Sequence, residues 1–208
     1  MSTPSQSDDS DLLLVGLGNP GPEYAHTRHN LGWACIDALA ARVGVAVDRR
    51  RWRSRVGCGV HGGRRLWLLE PQTYMNVSGR AVFEAVRDLG IGAGSVWVVH
   101  DELDLPFCRM RIKVGGSAAG NNGVRSIIAS LHRDDFVRFR VGVGKPERRG
   151  PGHGVDHVLG RFSREEEEAL PRVIDGVAAA LETAVTSGLT KAMDLYNRAG
   201  SLGCEAVS

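Results

Sequence analysis

The chain alternates between short apolar runs and longer stretches in which apolar residues recur with helical spacing. The short runs predict β-strands at Leu12–Leu17, Arg55–Val60, Arg65–Leu69, Val96–His100, Arg109–Val114 and Phe139–Val143. The longer stretches predict α-helices at Leu31–Val43, Ser78–Leu89, Asn122–Leu131, Arg164–Ser187 and Leu189–Ala199. Strands interspersed with helices indicate an α/β fold: a single-domain sandwich with a central twisted, mixed and largely parallel sheet flanked by helices.

Turn-forming residues mark several connections between these elements. His61–Arg64 predicts a hairpin turn, which makes the sheet mixed, and the Gly/Pro-rich, charged segment Lys145–Gly154 predicts a mobile loop. Ser163 with Glu166 has the spacing of a capping box, so the acidic run Glu165–Glu168 is interpreted as a first helical turn.

The two ends of the chain differ from its middle. Residues 1–11 are polar and acidic, which predicts a disordered leader, residues 12–199 form the domain, and residues 200–208 are expected to be a flexible tail. The leader lacks the apolar region of a signal peptide, and no apolar run approaches the ~20 residues that span a membrane. We therefore expect a cytoplasmic protein without membrane contact.

The sequence predicts neither a metal site nor a disulfide framework. The cysteines are scattered, with no C-x-x-C pair, at Cys35, Cys58, Cys108 and Cys204. His100, Asp101, Glu102 and Asp104 form a cluster of metal-ligand residue types, but strand alternation divides these side chains between two faces.

Positive charge is concentrated in the middle of the chain. The net charge is +2, yet residues 42–149 hold 20 Lys/Arg against 10 Asp/Glu. The clusters recur on separate segments, and Arg111 with Lys113, like Arg138 with Arg140, would share one strand face. Two interpretations stay open: a solvated arginine-rich surface, or a surface that binds a polyanion.

Gly16, Gly18 and Gly21 match the G-x-G-x-x-G fingerprint of dinucleotide sites. That fingerprint needs a helix to begin inside the glycines, whereas Pro20 and Pro22 favour extended geometry and remove backbone donors. We therefore interpret the segment as a rigid loop after a strand, presenting Asn19 and, at the next helix, His29.

Several segments together resemble the bacterial-type peptidyl-tRNA hydrolases. They are Leu12–Asn30 (LLLVGLGNPGPEYAHTRHN), Pro71–Gly79 (PQTYMNVSG), His100–Pro106 (HDELDLP), Gly120–Gly123 (GNNG) and Arg138–Gly144 (RFRVGVG). They follow the order of the family, and the match covers roughly residues 12 to 198.

The resemblance implies a role for each matched residue. His29 falls on the catalytic base and Asp101 on the acid that orients it, the minimal general-base unit. Asn76, with Met75, falls where an amide holds the attacking water and polarises the scissile carbonyl, and Asn19 where the acylated residue binds. Further substrate contacts are implied for Tyr24, Tyr74 and Asn122, and a phosphate clamp on the tRNA for Lys113 and Arg140.

The residues alone leave other interpretations open. Asn76 could form a turn or cap the helix at Ser78, and either Asn121 or Asn122 could cap the helix that begins near Asn122. Lys113 and Arg140 could be strand-edge charges. The chain also departs from the family in having Asn121 where His is usual. Because that His is not the base, we expect altered substrate handling rather than lost catalysis.

The resemblance implies a monomeric, metal-independent, cofactor-free esterase that cleaves peptidyl-tRNA and so recycles tRNA from aborted translation. A non-hydrolytic RNA-binding paralogue on the same fold is the alternative, and turnover of an N-blocked aminoacyl-tRNA separates the two. A nucleotide-dependent oxidoreductase, suggested by Gly16–Gly21, would instead bind NAD or NADP in a titration.

Overall fold

The computed structural model describes residues 11–146 and 152–204. Within these ranges the strands are β1 Asp11–Gly16, β2 Arg49–Arg51, β3 Ser54–His61, β4 Arg64–Pro71, β5 Val96–Glu102, β6 Met110–Val114 and β7 Val137–Gly142. The α-helices are α1 Leu31–Val43, α2 Ser78–Leu89, α3 Asn122–Leu131, α4 His153–Leu159, α5 Arg164–Ser187 and α6 Leu189–Tyr196. Short 3-10 turns span Pro22–Tyr24, Arg28–Asn30, Met75–Val77 and Ala93–Ser95. Every predicted strand and helix is present, with ends shifted by a few residues at most.

The strands form one sheet in the order β2-β3-β4-β1-β5-β7-β6. The central strands β4, β1, β5 and β7 run parallel, whereas β2, β3 and β6 pair antiparallel with their neighbours at the two edges. At the predicted hairpin turn, Gly62 (φ 58°) and Gly63 (φ 76°) supply the left-handed backbone that a tight turn needs. The predicted mixed α/β sandwich is confirmed.

Apolar side chains cover both faces of the sheet. Leu12 and Leu14 of β1 pack with α1, α5 and α6 on one face, and Leu13 and Val15 pack with α2 and α3 on the other. A strand buried on both faces needs apolar residues at successive positions. This is why β1 appears in the sequence as a continuous apolar run and not as an alternating one.

The start of α1 lies very close to the end of β1 because glycines face each other there. A Cβ atom on Gly16 would lie 2.4 Å from the Gly32 carbonyl oxygen, and one on Gly32 would lie 2.4 Å from the Leu17 backbone nitrogen. α1 begins at Leu31, beyond the glycine segment Gly16–Gly21. Gly16 therefore serves close backbone packing, and the segment is a loop after β1 and not the start of a helix, as the prolines predicted.

Two described elements were not predicted. β2 is a run of three exposed arginines, placed only by its pairing with β3, so it carries no hydrophobic pattern. α4 covers the end of the predicted mobile loop Lys145–Gly154 and has a single buried residue, Val158, which is too short a pattern to recognise. Residues 147–151 of that loop lie outside the described chain.

Cys108, between β5 and β6, and Cys204, beyond α6, form a disulfide across 96 residues. The prediction that the cysteines form no disulfide is wrong for this pair. No sequence spacing marks two cysteines so far apart, because only the packing of α6 and the chain after it brings them together.

The packed structure extends further into the C-terminal segment than the composition of that segment predicts. Leu202 is buried against Gly176 of α5, so the expected flexible tail 200–208 is part of the packed structure as far as Cys204. Residues 205–208 lie outside the described chain. At the other end, Asp11 already belongs to β1, and the remainder of the predicted leader is likewise not described.

Candidate active site

A cavity of about 340 Å³ opens where β1 and β5 end, the edge at which parallel sheets usually carry their sites. Its walls come from the loop after β1, the turns that carry His29 and Met75, the end of β5, the start of α3, and α4. Seven of the residues predicted to serve catalysis or substrate binding line it, together with Asn121: Asn19, His29, Tyr74, Met75, Asn76, Asp101 and Asn122. On the α4 side, Val155 and Leu159 present partly exposed apolar surface.

His29 and Asp101 form a buried pair in this cavity. The His29 Nδ1 atom lies 2.9 Å from both Asp101 carboxylate oxygens, and the two side chains are 10% and 2% exposed. Because Nδ1–H donates to the carboxylate, the neutral ring carries its lone pair on Nε2. This arrangement suits His29 to remove a proton from a bound water.

Because side chains alternate along β5, Asp101 faces the cavity and its neighbour His100 does not. His100 precedes it on β5 and faces away from the cavity, with Nδ1 donating to the Asp101 carbonyl oxygen at 2.8 Å. Burial lowers the pKa of His100, which keeps this ring neutral. The predicted division of these side chains between two faces of the strand is confirmed for His100 and Asp101.

Arg28 anchors the turn that carries His29, a role that nothing in its own segment marks beyond its position beside the histidine. Its buried guanidinium pairs with Glu166 at the start of α5, donates to the Arg161 carbonyl oxygen and lies 5.2 Å from the centre of the Phe162 ring. The turn is thereby attached to the segment between α4 and α5.

Asn19 holds a neighbouring wall of the cavity in place. Its Oδ1 atom accepts a hydrogen bond from the Met75 backbone nitrogen at 2.7 Å. Asn30 in turn accepts from the Asn19 backbone nitrogen at 2.9 Å and donates to the Asn19 carbonyl oxygen at 3.0 Å. Sequence reasoning did not assign Asn30 a role, because its two bonds join segments that only the fold brings together.

Asn76 lies inside the turn Met75–Val77, with its exposed side chain at the cavity. Val77, not Asn76, precedes α2, so the capping interpretation of Asn76 is wrong. Tyr74 lies beside it and meets the Tyr24 ring edge-on, with centroids 6.5 Å apart. Tyr24 thus supports the cavity rim through Tyr74.

The cap of α3 is Asn121, not Asn122. Asn121 Oδ1 accepts from the Gly123 and Val124 backbone nitrogens at 3.0 and 3.1 Å, and Asn121 Nδ2 donates to Asp101 Oδ1 at 3.1 Å. The capping interpretation of Asn122 is therefore wrong. Asn122 is exposed at the cavity and accepts from Arg125 at 2.8 Å.

Lys113 and Arg140 line a second, smaller cavity of about 70 Å³ on the neighbouring part of the sheet. Arg140 Nε donates to the buried Glu102 carboxylate at 2.7 Å, and Glu102 also lines the His29 cavity. Arg138 shares their face, as alternation predicted, but it is buried and donates to the carbonyl oxygens of Gly116 and Ser117. Its role is therefore structural.

Three arginines of the β2–β3 hairpin contact neighbouring side chains. Arg53 pairs with Glu84 at 2.7 Å, Arg55 donates a hydrogen bond to the buried Glu70 carboxyl at 3.0 Å, and Arg51 covers the Trp52 ring at 4.2 Å. These contacts favour the interpretation of a structural surface at these three arginines.

Across residues 11–146 and 152–204, no helix is long and apolar enough to cross a membrane. The same part of the chain gathers no group of three or more His, Cys, Asp or Glu side chains placed to hold a metal ion.

Comparisons with known proteins agree with this geometry. A family model described as peptidyl-tRNA hydrolase matches residues 13–202. The peptidyl-tRNA hydrolases of Geotalea daltonii and Geobacter sulfurreducens are each 46% identical over 185 residues, covering 89% of this chain and 95% and 94% of the relatives. The crystal structure of the Acinetobacter baumannii peptidyl-tRNA hydrolase has a TM-score of 0.84 and 32% identity, covering 95% of this chain and 96% of that one. The chain therefore belongs to the peptidyl-tRNA hydrolase family.

Proposed function

We propose that this protein hydrolyses the ester between an N-blocked aminoacyl or peptidyl group and the 3′ ribose of tRNA. The observation that carries the proposal is the pair of 2.9 Å contacts between His29 Nδ1 and Asp101, which leaves the second ring nitrogen available as a base. Membership of the family supplies the substrate class.

The reaction is a direct attack by water. His29 removes a proton from the water as its oxygen bonds to the ester carbonyl carbon, and Asp101 stabilises the resulting imidazolium. The Asn76 amide donates to the oxyanion that develops on the carbonyl oxygen. The tetrahedral intermediate then collapses with cleavage of the ester C–O bond, and the proton held by His29 passes to the departing ribose oxygen.

Substrate binding divides between the two adjoining cavities. The apolar surface of Met75, Val155 and Leu159 suits the acyl chain, next to the polar Asn19 and Asn122. Lys113 and Arg140 suit a phosphate of the tRNA. On this proposal the protein binds tRNA as a cytoplasmic monomer and returns it to translation.

Turnover of an N-blocked aminoacyl-tRNA by the purified chain tests the proposal, with the unblocked aminoacyl-tRNA as the control substrate. His29→Ala and His29→Gln should lower turnover by ~10²–10⁴-fold, the usual contribution of a general base, while tRNA binding persists. Binding of tRNA without turnover by the wild-type chain would favour the RNA-binding alternative.

A further inference from the structure

We infer that Asn121 is a positioning residue for the reaction: its amide holds the Asp101 carboxylate that orients His29. The inference rests on the proposed function and deepens it. Asn121 Nδ2 lies 3.1 Å from Asp101 Oδ1 and 3.4 Å from the Asp101 carbonyl oxygen. Asp101 is thus held from one side by His29 and from the other by Asn121.

The orientation of the Asn121 amide is fixed by the helix that it caps. Its oxygen faces the Gly123 and Val124 backbone N–H groups, which are donors and require an acceptor. Rotating the amide by half a turn would place its NH₂ group against those donors. The NH₂ group must therefore point at Asp101, so capping of α3 and orientation of the carboxylate use opposite ends of one side chain.

The position of Asn121 is as constrained as its orientation. A Cβ atom on Gly123 would lie 2.5 Å from Met75 Sδ and 2.7 Å from Leu17 Cδ1, so the first turn of α3 is pressed against the cavity wall. Further along, the Gly79 backbone nitrogen at the start of α2 donates to Ser126 Oγ at 2.9 Å. α3 therefore presents Asn121 to Asp101 from a fixed support.

The hydrogen bond from Asn121 Nδ2 reduces the negative charge on the Asp101 carboxylate that His29 contacts. A hydrogen bond donated to a carboxylate withdraws negative charge from the oxygen that it contacts. Without it, Asp101 would stabilise the His29 imidazolium more strongly but would hold the ring less firmly. Loss of the amide should therefore move the acid limb of the pH–rate profile to higher pH while turnover falls.

Several other titratable and charged groups surround the pair. The titratable residues lining the cavity are His29, Tyr74, Asp101 and Glu102. On the surrounding elements Arg28 pairs with Glu166, Arg140 with Glu102 and Arg125 with Asn122, and α4 carries His153, Asp156 and His157, of which His157 contacts the Val143 carbonyl oxygen. His100 lies behind Asp101, where burial lowers its pKa. These contacts are shared by the wild type and the Asn121 variants, so a difference between their pH profiles reports on Asn121.

Two substitutions separate positioning from capping. Asn121→Ser keeps a good N-cap but cannot donate an amide to Asp101, and Asn121→Asp keeps the cap while adding a carboxylate beside Asp101. The control for a loss of stability alone is Ser54→Ala, which removes a buried hydrogen bond from the Ser54 hydroxyl to the Trp52 carbonyl oxygen in the β2–β3 hairpin, away from the cavity. We expect roughly tenfold lower kcat for Asn121→Ser, as for loss of a hydrogen bond to a charged group, and an acid limb that moves upward in the order wild type, Ser, Asp. Ser54→Ala should lower only the Tm.

An NMR titration of the His29 ring, assigned with His29→Gln, gives a readout that does not need turnover. Its midpoint should move upward in the same order. If kcat, the acid limb and the ring titration of both Asn121 variants match the wild type while the Tm falls, Asn121 is a cap only and the inference is overturned. If the wild-type chain fails to turn over the blocked substrate, the proposed function fails, and the ring titration still decides whether Asn121 acts on the pair.

Discussion

Asn30 exchanges two hydrogen bonds with the backbone of Asn19, at 2.9 and 3.0 Å, and so ties the turn that carries His29 to the loop after β1. Asn197 makes the same pair of bonds with the Ile112 backbone, at 2.7 and 3.1 Å, between α6 and β6. The two asparagines are thus chemically alike, and only Asn30 lies beside the cavity.

This likeness allows a matched test. Asn30→Ala and Asn197→Ala should each cost about 1–3 kcal/mol of stability, because each leaves backbone groups without their partner. Only Asn30→Ala should also lower kcat, since it releases His29 and Asn19 together. Thermal unfolding and turnover measured on both variants check this, and an equal effect on turnover would contradict it.

Asp101→Asn should lower turnover less than His29→Ala, because the base is still present. Its effect on pH dependence should be opposite to that of the Asn121 variants. An amide does not stabilise the imidazolium as a carboxylate does, so the acid limb should move to lower pH. Profiles of kcat/KM against pH decide the direction, and an unchanged limb would remove Asp101 from the proposed pair.

Lys113→Ala should raise KM more than it lowers kcat and should reduce the salt dependence of tRNA binding. Each lost phosphate contact lowers the logarithmic salt slope by ~0.7–0.9. Arg53→Ala is the control, because Arg53 lies in the turn between β2 and β3, at the sheet edge opposite β6, and pairs with Glu84 of α2. Lys113 is the cleaner position to change, since Arg140→Ala also leaves the buried Glu102 without a partner. If tRNA binding by the wild type and by Lys113→Ala had the same salt dependence, Lys113 would be a strand-edge charge that contacts no phosphate.

Glu70 should make stability depend on pH. Burial, with Asp37 nearby, raises the pKa of its carboxyl from 4.5 to about 8, and Arg55 only partly opposes this. The folded chain therefore holds a proton that the unfolded chain releases, so this stabilisation is complete below pH 4.5 and is lost as pH rises through 8. Glu70→Gln should remove the loss and be more stable than wild type in alkaline solution. Denaturant unfolding across pH measures it, with Glu84→Gln as the control.

The Cys108–Cys204 disulfide should stabilise the fold by about 2–4 kcal/mol, because it closes a long loop of the unfolded chain. Cys204→Ser and Cys108→Ser should lower the Tm alike, and reductant should lower the wild-type Tm to the same level. Cys58→Ser, at a free cysteine, should respond to reductant as the wild type does. A wild-type Tm that is the same with and without reductant would contradict the predicted stabilisation by the disulfide.

Structural features could be predicted from the sequence wherever the pattern that marks them lies within one segment of the chain. Ser163 and Glu166 predicted the start of α5, including the reciprocal cap, and alternation along β5 separated Asp101 from His100. The bonds between Asn30 and Asn19 and the contact of Asn121 with Asp101 carry no local signal, because each partner is ordinary in its own segment. The sequence left both Asn121 and Asn122 as possible caps of α3 because the two asparagines have the same capping preference, and only the backbone geometry selects Asn121.

The contact between Gly16 and Gly32 restricts both positions to glycine in any folded variant of this protein. A single added methyl group at either position would collide with main-chain atoms, whereas Asn76 is exposed at the cavity. Libraries selected only for folded protein should therefore keep glycine at both positions and accept many residues at Asn76. Libraries selected for turnover should restrict all three positions, so the difference between the two selections separates residues that build the site from those that perform the reaction.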